Sequence, residues 1–191
     1  MGALLADPRL RRLFVEPLRP LRFRRLMDQN QILLVNLARG QVGEDTAALL
    51  GSLLVTTIGL AAFSRSDMPE EQRSPFFLYL DEFQNFTTAS VATMISELRK
   101  YKIGLVLANQ HLGQLTNEVR DAVLGNVGSL ISFRVGPNDA SLLAKEFDQC
   151  FTASDLMSLA NHHIYLRLMI DGAPSKPFSA TTILPNEVPS I

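Results

Sequence analysis

The residues best suited to chemistry in this 191-residue chain close the run Pro75 to Glu82 (PFFLYLDE), in which six uncharged, largely apolar residues deliver two adjacent carboxylates, Asp81 and Glu82. In open α/β sheets, ligands bind at the carboxyl ends of the strands. A short apolar strand followed by Asp-Glu is the pattern of a Walker B element. There the Asp holds Mg²⁺ through its water shell, and the Glu orients or deprotonates the water that attacks a nucleoside triphosphate. A strand closed by two ordinary solvated acids fits the same residues equally well, because so short a motif recurs by chance. A phosphate cradle would separate the two readings. None of the eleven glycines is followed by lysine, so G-x-x-x-x-G-K-[ST] is absent, and Gly40-Gln41-Val42-Gly43 has no lysine to reach a phosphate. On its own residues the chain carries half of a nucleotide site.

The other polar candidates are weaker. His162 and His163 are neighbours on an expected strand, where they would face opposite sides and chelate poorly. His111 reads as a loop histidine beside Gln110. Cys150 is the only cysteine, which excludes an internal disulfide and a cysteine-rich zinc site and fits a reducing compartment. No nucleophile elbow, calcium loop or Ser-His-Asp arrangement stands out. The stretch Arg9 to Arg25, with Phe14 and Phe23 interleaved, suits phosphate contacts, a solvated helix surface or a subunit contact.

The elements that must position Asp81 and Glu82 follow from apolar patterning. Gln31 to Leu37 (QILLVNL), Pro75 to Leu80, Ile103 to Ala108 (IGLVLA) and Ser129 to Val135 (SLISFRV) are compact runs of strand length, and the second reads as buried on both faces of a sheet. Thr87 to Tyr101 has apolar Val91, Met94, Ile95 and Leu98 at helical spacing and basic Arg99 and Lys100 at its end, as an amphipathic helix should. Further helices are expected over Glu118 to Leu124, Asp139 to Phe147 and Thr152 to Leu159. A closing strand pair, His163 to Ile170 with Pro177 to Ile183, is expected around Asp171-Gly172. The charge-rich Ser64 to Ser74 reads as a polar loop.

Thr46 to Ser64 is nineteen residues without a charge, near the length that spans a bilayer. Seven of the nineteen are Gly, Ser or Thr, and Glu44, Asp45 and Arg65 close it tightly, so it reads as a buried helix and the chain as having no membrane span. The whole pattern is an α/β fold, parallel in the centre of its sheet with helices on both faces and a C-terminal strand pair.

Composition agrees with a folded domain. Hydrophobic residues are 47% and charged residues 19%, which excludes a disordered tail. A net charge of −1 does not mark a nucleic-acid binder overall, yet residues 1–25 hold seven of the fourteen arginines against only Asp7 and Glu16. Met1 to Asp7 is too short and too soon followed by arginines to be a signal peptide.

Five blocks in order carry a family resemblance: FRRLMDQNQILLVNLARGQVGEDTAALLGSLLV, PFFLYLDEFQNF, SELRKYKIGLVLANQHLGQL, NVGSLISFRVGPNDASLLAKEF and IYLRLMIDGAPSKPFSATTI. Together they resemble the C-terminal half of the motor domain of type IV secretion coupling proteins of the TraG/TraD type, within the HerA-FtsK group of DNA-translocating P-loop ATPases. The resemblance implies a partial RecA-like sheet, ATP and Mg²⁺ as cofactors, DNA as the cargo, a homo-oligomeric ring (a hexamer), and relaxase or secretion-channel partners. It also implies a cytoplasmic location at the inner face of a bacterial membrane.

Residue by residue, the resemblance makes Asp81 the Mg²⁺ and cofactor-binding carboxylate, Glu82 the catalytic carboxylate, and Gln110 the glutamine that contacts the γ-phosphate or the attacking water. Arg99 matches an arginine that reaches a neighbouring subunit's nucleotide, with Arg134 the next candidate and a dipole-favoured helix-end cation the plainer alternative. Residues 1–27 look like the basic helical tail of an inserted subdomain, and residues 28–191 like the half of the ATPase domain without Walker A. The sequence therefore reads as a piece of a longer protein or a remnant of a decayed gene, with an exposed surface where the other half would pack. Its principal rival is a truncated, non-catalytic docking module of the same family; an unrelated α/β enzyme is the third reading.

Overall fold

The computed structural model describes residues 21–37 and 39–183. Of the expected basic connection over residues 1–27, only the part from Leu21 lies within the described residues, and the last residues of the chain lie outside them as well. The chain divides into two compact units, Met1–Asn109 and Gln110–Ile191.

The first unit contains α1 (Phe23–Asp28), α2 (Arg39–Val42), α3 (Glu44–Phe63), β1 (Phe76–Leu80), α4 (Ala89–Glu97) and β2 (Ile103–Leu107). α3 starts at Gly43, whose φ of 85° suits glycine, and carries Glu44 and Asp45 in its first turn, where carboxylates complement the helix dipole. Its buried side is built from small and branched residues, Ala47, Leu50, Gly51, Val55, Ile58, Gly59 and Ala62. Leu49, Leu53 and Leu60 are exposed on it. The expectation of a buried helix thus holds for one side only, and by length and composition alone the helix would also cross a membrane. Gly51 and Gly59 permit close packing: a Cβ at Gly51 would lie 2.1 Å from the Phe86 ring, and one at Gly59 would lie 2.0 Å from Met94 Sδ.

β1 and β2 are parallel, with Phe76 opposite Ile103 and Leu80 opposite Leu107. The crossover runs through α4 and a 3-10 turn, Leu98–Tyr101, as a parallel pair requires. Met27, Val55, Ile58, Ala62, Val91, Met94, Leu98 and Ile103 form the core, and Phe76, Leu78, Leu80 and Leu105 pack against it from the strands. Phe77 and Tyr79 point the other way and are 59% and 70% exposed. β1 is therefore covered on one face, whereas its unbroken apolar run predicts two.

Gln31–Leu37, expected as a strand, has no regular secondary structure and joins no ladder. The expected polar loop after α3 is two 3-10 turns, Ser64–Asp67 and Glu70–Gln72, and it contains Arg65, which is fully buried.

Arg65 is the hub of this end of the unit. Its Nε donates to Asp28 Oδ1 at 3.0 Å, and its Nη1 donates to the carbonyls of Ser74 at 2.9 Å and Tyr101 at 3.0 Å. Nη2 also stands 3.0 Å from Asp28 Oδ1, adding charge attraction although it makes no well-directed hydrogen bond. One guanidinium thus fixes the residues that lead into β1 and β2. Arg24 braces the Asp28 carboxylate from outside at 2.5 Å and also pairs with Asp67 at 2.8 Å, and its hydrogen bonds to Asp67 and then to Asp28 raise its pKa.

The second unit contains α5 (Asn117–Asn126), β3 (Leu130–Ser132), α6 (Pro137–Glu146), α7 (Ala153–Ser158), β4 (His163–Arg167), β5 (Met169–Ile170), β6 (Ala173–Pro174) and β7 (Phe178–Thr181). Local signals explain the helices: Thr116 caps α5, proline opens α6, and Thr152 with Asp155 forms a reciprocal capping box on α7. Ala140, Leu143, Phe147 and Leu156 form its core, extended by Phe151 stacked on Tyr165 at 3.7 Å.

The sheet order is β3-β4-β7, antiparallel throughout. The expected pairing of the last two long strands is found as β4 with β7. The Asp171-Gly172 turn, however, joins the short hairpin β5-β6, both turn residues having positive φ as a tight hairpin needs. The expected mostly parallel central sheet is represented among the described residues by β1 and β2 alone.

Candidate functional site

β1 ends where expected, and its last backbone groups are stapled to the end of β2: Ala108 N–H donates to the Leu80 carbonyl at 2.9 Å, and Phe83 N–H donates to the Ala108 carbonyl at 3.1 Å. Phe83 is 2% exposed and anchors the turn from below. Between these ties sit Asp81 and Glu82. Asp81 is exposed, and its Oδ1 accepts the Glu82 N–H at 3.0 Å. Glu82 adopts the left-handed conformation, φ 51° and ψ 42°, uncommon for a side chain of its size. It is held there by Asn85 Nδ2, which donates to its carbonyl at 2.7 Å, while Gln84 Nε2 donates to its carboxylate at 2.5 Å. Strain of this kind at a strand end is common at sites that aim a side chain.

Two amides complete the neighbourhood. The Nδ2 of Asn109, next in sequence to Ala108, and the Oε1 of Gln84 are both buried with no hydrogen-bond partner among the described residues. Neither was singled out from the sequence, where nothing but adjacency to the motif could have pointed to them. An open apolar groove of ≈ 880 Å³ runs along β1 and reaches Asp81 and Glu82, lined on its other side by residues 30–37 and floored by Gly51, Val55 and Ile58 of α3.

The structure places the other predicted site residues apart from this turn or in the second unit. Arg99 lies in the 3-10 turn that precedes β2, whereas Asp81 follows β1. Because the strands are parallel, Arg99 sits at the opposite edge of the pair, about 16 Å away along a five-residue strand. Its exposed guanidinium makes no hydrogen bond or ion pair among the described residues, so within this chain it does not join the carboxylates.

Gln110 is exposed and opens the second unit. The segment after it is tied to α6: the buried Asp139 accepts the Leu112 N–H at 3.1 Å and stands 3.8 Å from His111 Nδ1. Arg134 is exposed just past β3. The expected alternation of His162 and His163 on a strand is corrected: His162 is a left-handed turn residue with φ 65°, and only His163 lies on β4.

The described residues contain no group of three or more His, Cys, Asp or Glu that could form a metal cage. Mg²⁺ does not require one, since it takes one or two carboxylates and keeps several waters. The exposed Asp81 carboxylate at a strand's end, beside Glu82, fits that demand. A nucleotide's phosphates fit less well, because the sequence offers them no glycine-rich turn with a lysine.

No curated protein matches the chain. A family model does: residues 75–147, from the start of β1 to the end of α6, match the TraM recognition site of TraD and TraG. The stretch that contains both carboxylates, Arg99, Gln110 and Asp139 is thus similar to the C-terminal region of TraG/TraD-type coupling proteins.

Proposed function

We propose that this chain is the Walker B-containing part of a ring-forming, ATP-driven DNA translocase of the coupling-protein type, acting in conjugative or type IV secretion DNA transfer. The observation that carries the reading is the coincidence of the family match with a strained Asp-Glu turn at the carboxyl end of a parallel strand. In this reading the protein works with ATP and Mg²⁺ at the cytoplasmic face of the membrane, on a RecA-like sheet of which β1 and β2 are two strands. Asp81 holds Mg²⁺, and Glu82, aimed by its left-handed backbone, orients water and takes its proton. Gln110 senses the γ-phosphate and passes its state through Leu112 to Asp139 and α6. Arg99, at the far edge from its own carboxylates, serves a neighbouring subunit's site in a hexamer, which is consistent with its separation from Asp81.

The matched family is named for recognition of TraM. A TraM-like protein is accordingly the first partner to test, ahead of relaxase or channel components.

A second reading is favoured by the missing lysine-bearing glycine loop together with that name: a non-catalytic docking module of the same family. Mg²⁺-dependent affinity for a non-hydrolysable ATP analogue separates the two. The translocase reading expects the full gene product to bind it and Glu82→Gln to spare binding while abolishing turnover. Unchanged turnover in Glu82→Gln removes the assignment of Glu82, and a full gene product that binds no nucleotide leaves the docking module.

A further inference from the structure

The turn after β1 fixes the backbone and the carboxylate of Glu82 through different residues. Asn85 holds the backbone, its N–H and its Nδ2 both donating to the Glu82 carbonyl, at 3.0 and 2.7 Å. The buried Phe83 anchors the same backbone through its N–H, tied to the Ala108 carbonyl at 3.1 Å. Gln84 joins the turn's backbone through its own carbonyl, which accepts from Thr87 Oγ1 at 3.0 Å. Its side chain does something else: Nε2 donates to Glu82 Oε2 at 2.5 Å. The path of the turn therefore does not depend on the Gln84 amide.

For stability alone that amide is a poor choice. Its Oε1 is buried with no hydrogen-bond partner among the described residues. A buried acceptor left unpaired costs free energy that an apolar side chain of similar shape would not. The orientation is nonetheless forced, because an ionised carboxylate can only accept, so Gln84 turns Nε2 to Glu82 and leaves Oε1 in the interior. Local arrangements that lower stability concentrate where activity needs them.

We propose that Gln84 is a positioning residue, whose amide holds the Glu82 carboxylate in one orientation at the end of β1 at a cost to the stability of the fold. The inference rests on the reading of Glu82 as the group that orients and deprotonates water. A glutamate side chain rotates about several bonds and samples many rotamers unless a partner fixes it. A general base works only within hydrogen-bond reach of the proton it takes. Gln84 acts through Glu82 in this account, and its loss is felt in turnover rather than in nucleotide binding.

Gln84→Met tests this, since methionine is close to glutamine in length and volume and removes the donor and the unpaired acceptor together. NMR three-bond couplings along the Glu82 side chain, measured near neutral pH without nucleotide, should show one dominant rotamer in the wild type and averaging in the variant. The urea midpoint of the variant should lie at or above that of the wild type. In the full gene product, kcat should fall by about 10- to 100-fold while Mg²⁺-dependent nucleotide affinity stays within about twofold. Gln84→Glu, which sets a second carboxylate against Glu82, should lose turnover at least as far. A lower midpoint for Gln84→Met makes Gln84 a structural residue and overturns the proposal. Unchanged couplings overturn it too, as does full turnover in Gln84→Met where Glu82→Gln has none. A wild type without turnover removes the translocase reading instead, and the couplings then decide by themselves whether Gln84 holds Glu82.

Discussion

Replacing Arg65 by Met probes the hub that sets the start of both parallel strands. The substitution keeps most of the side-chain volume and deletes the guanidinium, leaving Asp28 without its inner partner and the carbonyls of Ser74 and Tyr101 unpaired in the interior. Breaking one side of a buried ion pair costs about 3–5 kcal/mol. The two orphaned carbonyls, at about 1–3 kcal/mol each, account for most of that sum rather than adding to it. Against a typical domain stability of about 5–15 kcal/mol, this is a large fraction. With a mid-range urea slope of about 2 kcal/mol/M, the midpoint should fall by about 1.5–2.5 M. Urea unfolding followed by far-UV circular dichroism and by tyrosine fluorescence reads it, since Tyr101 borders the site. Arg24→Met, which removes a more exposed ion pair to the same carboxylate, should cost no more than about 1 kcal/mol. A loss below about 1 kcal/mol for Arg65→Met would refute the hub, as would a double-mutant cycle with Asp28→Asn that shows no coupling.

Other expectations follow from the same geometry. Glu82→Gly should be more stable than Glu82→Ala by about 1 kcal/mol, because alanine must be held in the left-handed region and glycine need not; equal midpoints in urea would show that the turn relaxes. Gly51→Ala gains helix propensity, yet its new methyl meets the Phe86 ring, so a net loss of about 1–2 kcal/mol is expected in the same assay, and a gain would contradict the packing. The Thr152 hydroxyl and then its backbone N–H hold the Asp155 carboxyl below the usual carboxylate range. A depressed folded-state pKa means a stabilising contribution that is present above about pH 3.9 and lost as pH falls through the folded-state value. The stability difference between wild type and Asp155→Asn should therefore shrink on acidification, and a constant difference from pH 6 to pH 2 would exclude the linkage.

The elements legible in the sequence are those specified locally. β1, β2, the apolar α3 and the capped helices of the second unit lie close to their predicted positions, because strand-length apolar runs, Thr152 before Asp155, and proline after Gly136 act within a few residues. What escaped depends on partners distant in sequence. Gln31–Leu37 has a strand's composition but no ladder, and pairing is a property of two segments. Arg65 reads as one charge in a polar loop, because its burial requires Asp28, Ser74 and Tyr101 to converge on it. At the candidate site, Asp81 and Glu82 were visible as a motif, whereas the left-handed backbone of Glu82 and the unpartnered amides of Gln84 and Asn109 arise from the turn's hydrogen bonds. Arg99 was legible as a helix-end arginine, but its position at the far edge from Asp81 follows only from the parallel pairing.

The most direct test of the central claim is DNA-stimulated ATP hydrolysis by the full gene product that contains this chain, wild type against Glu82→Gln. The account expects turnover in the wild type and background hydrolysis in the variant, with Mg²⁺-dependent nucleotide binding retained in both. Equal turnover in the two proteins, or none in the wild type, would contradict it.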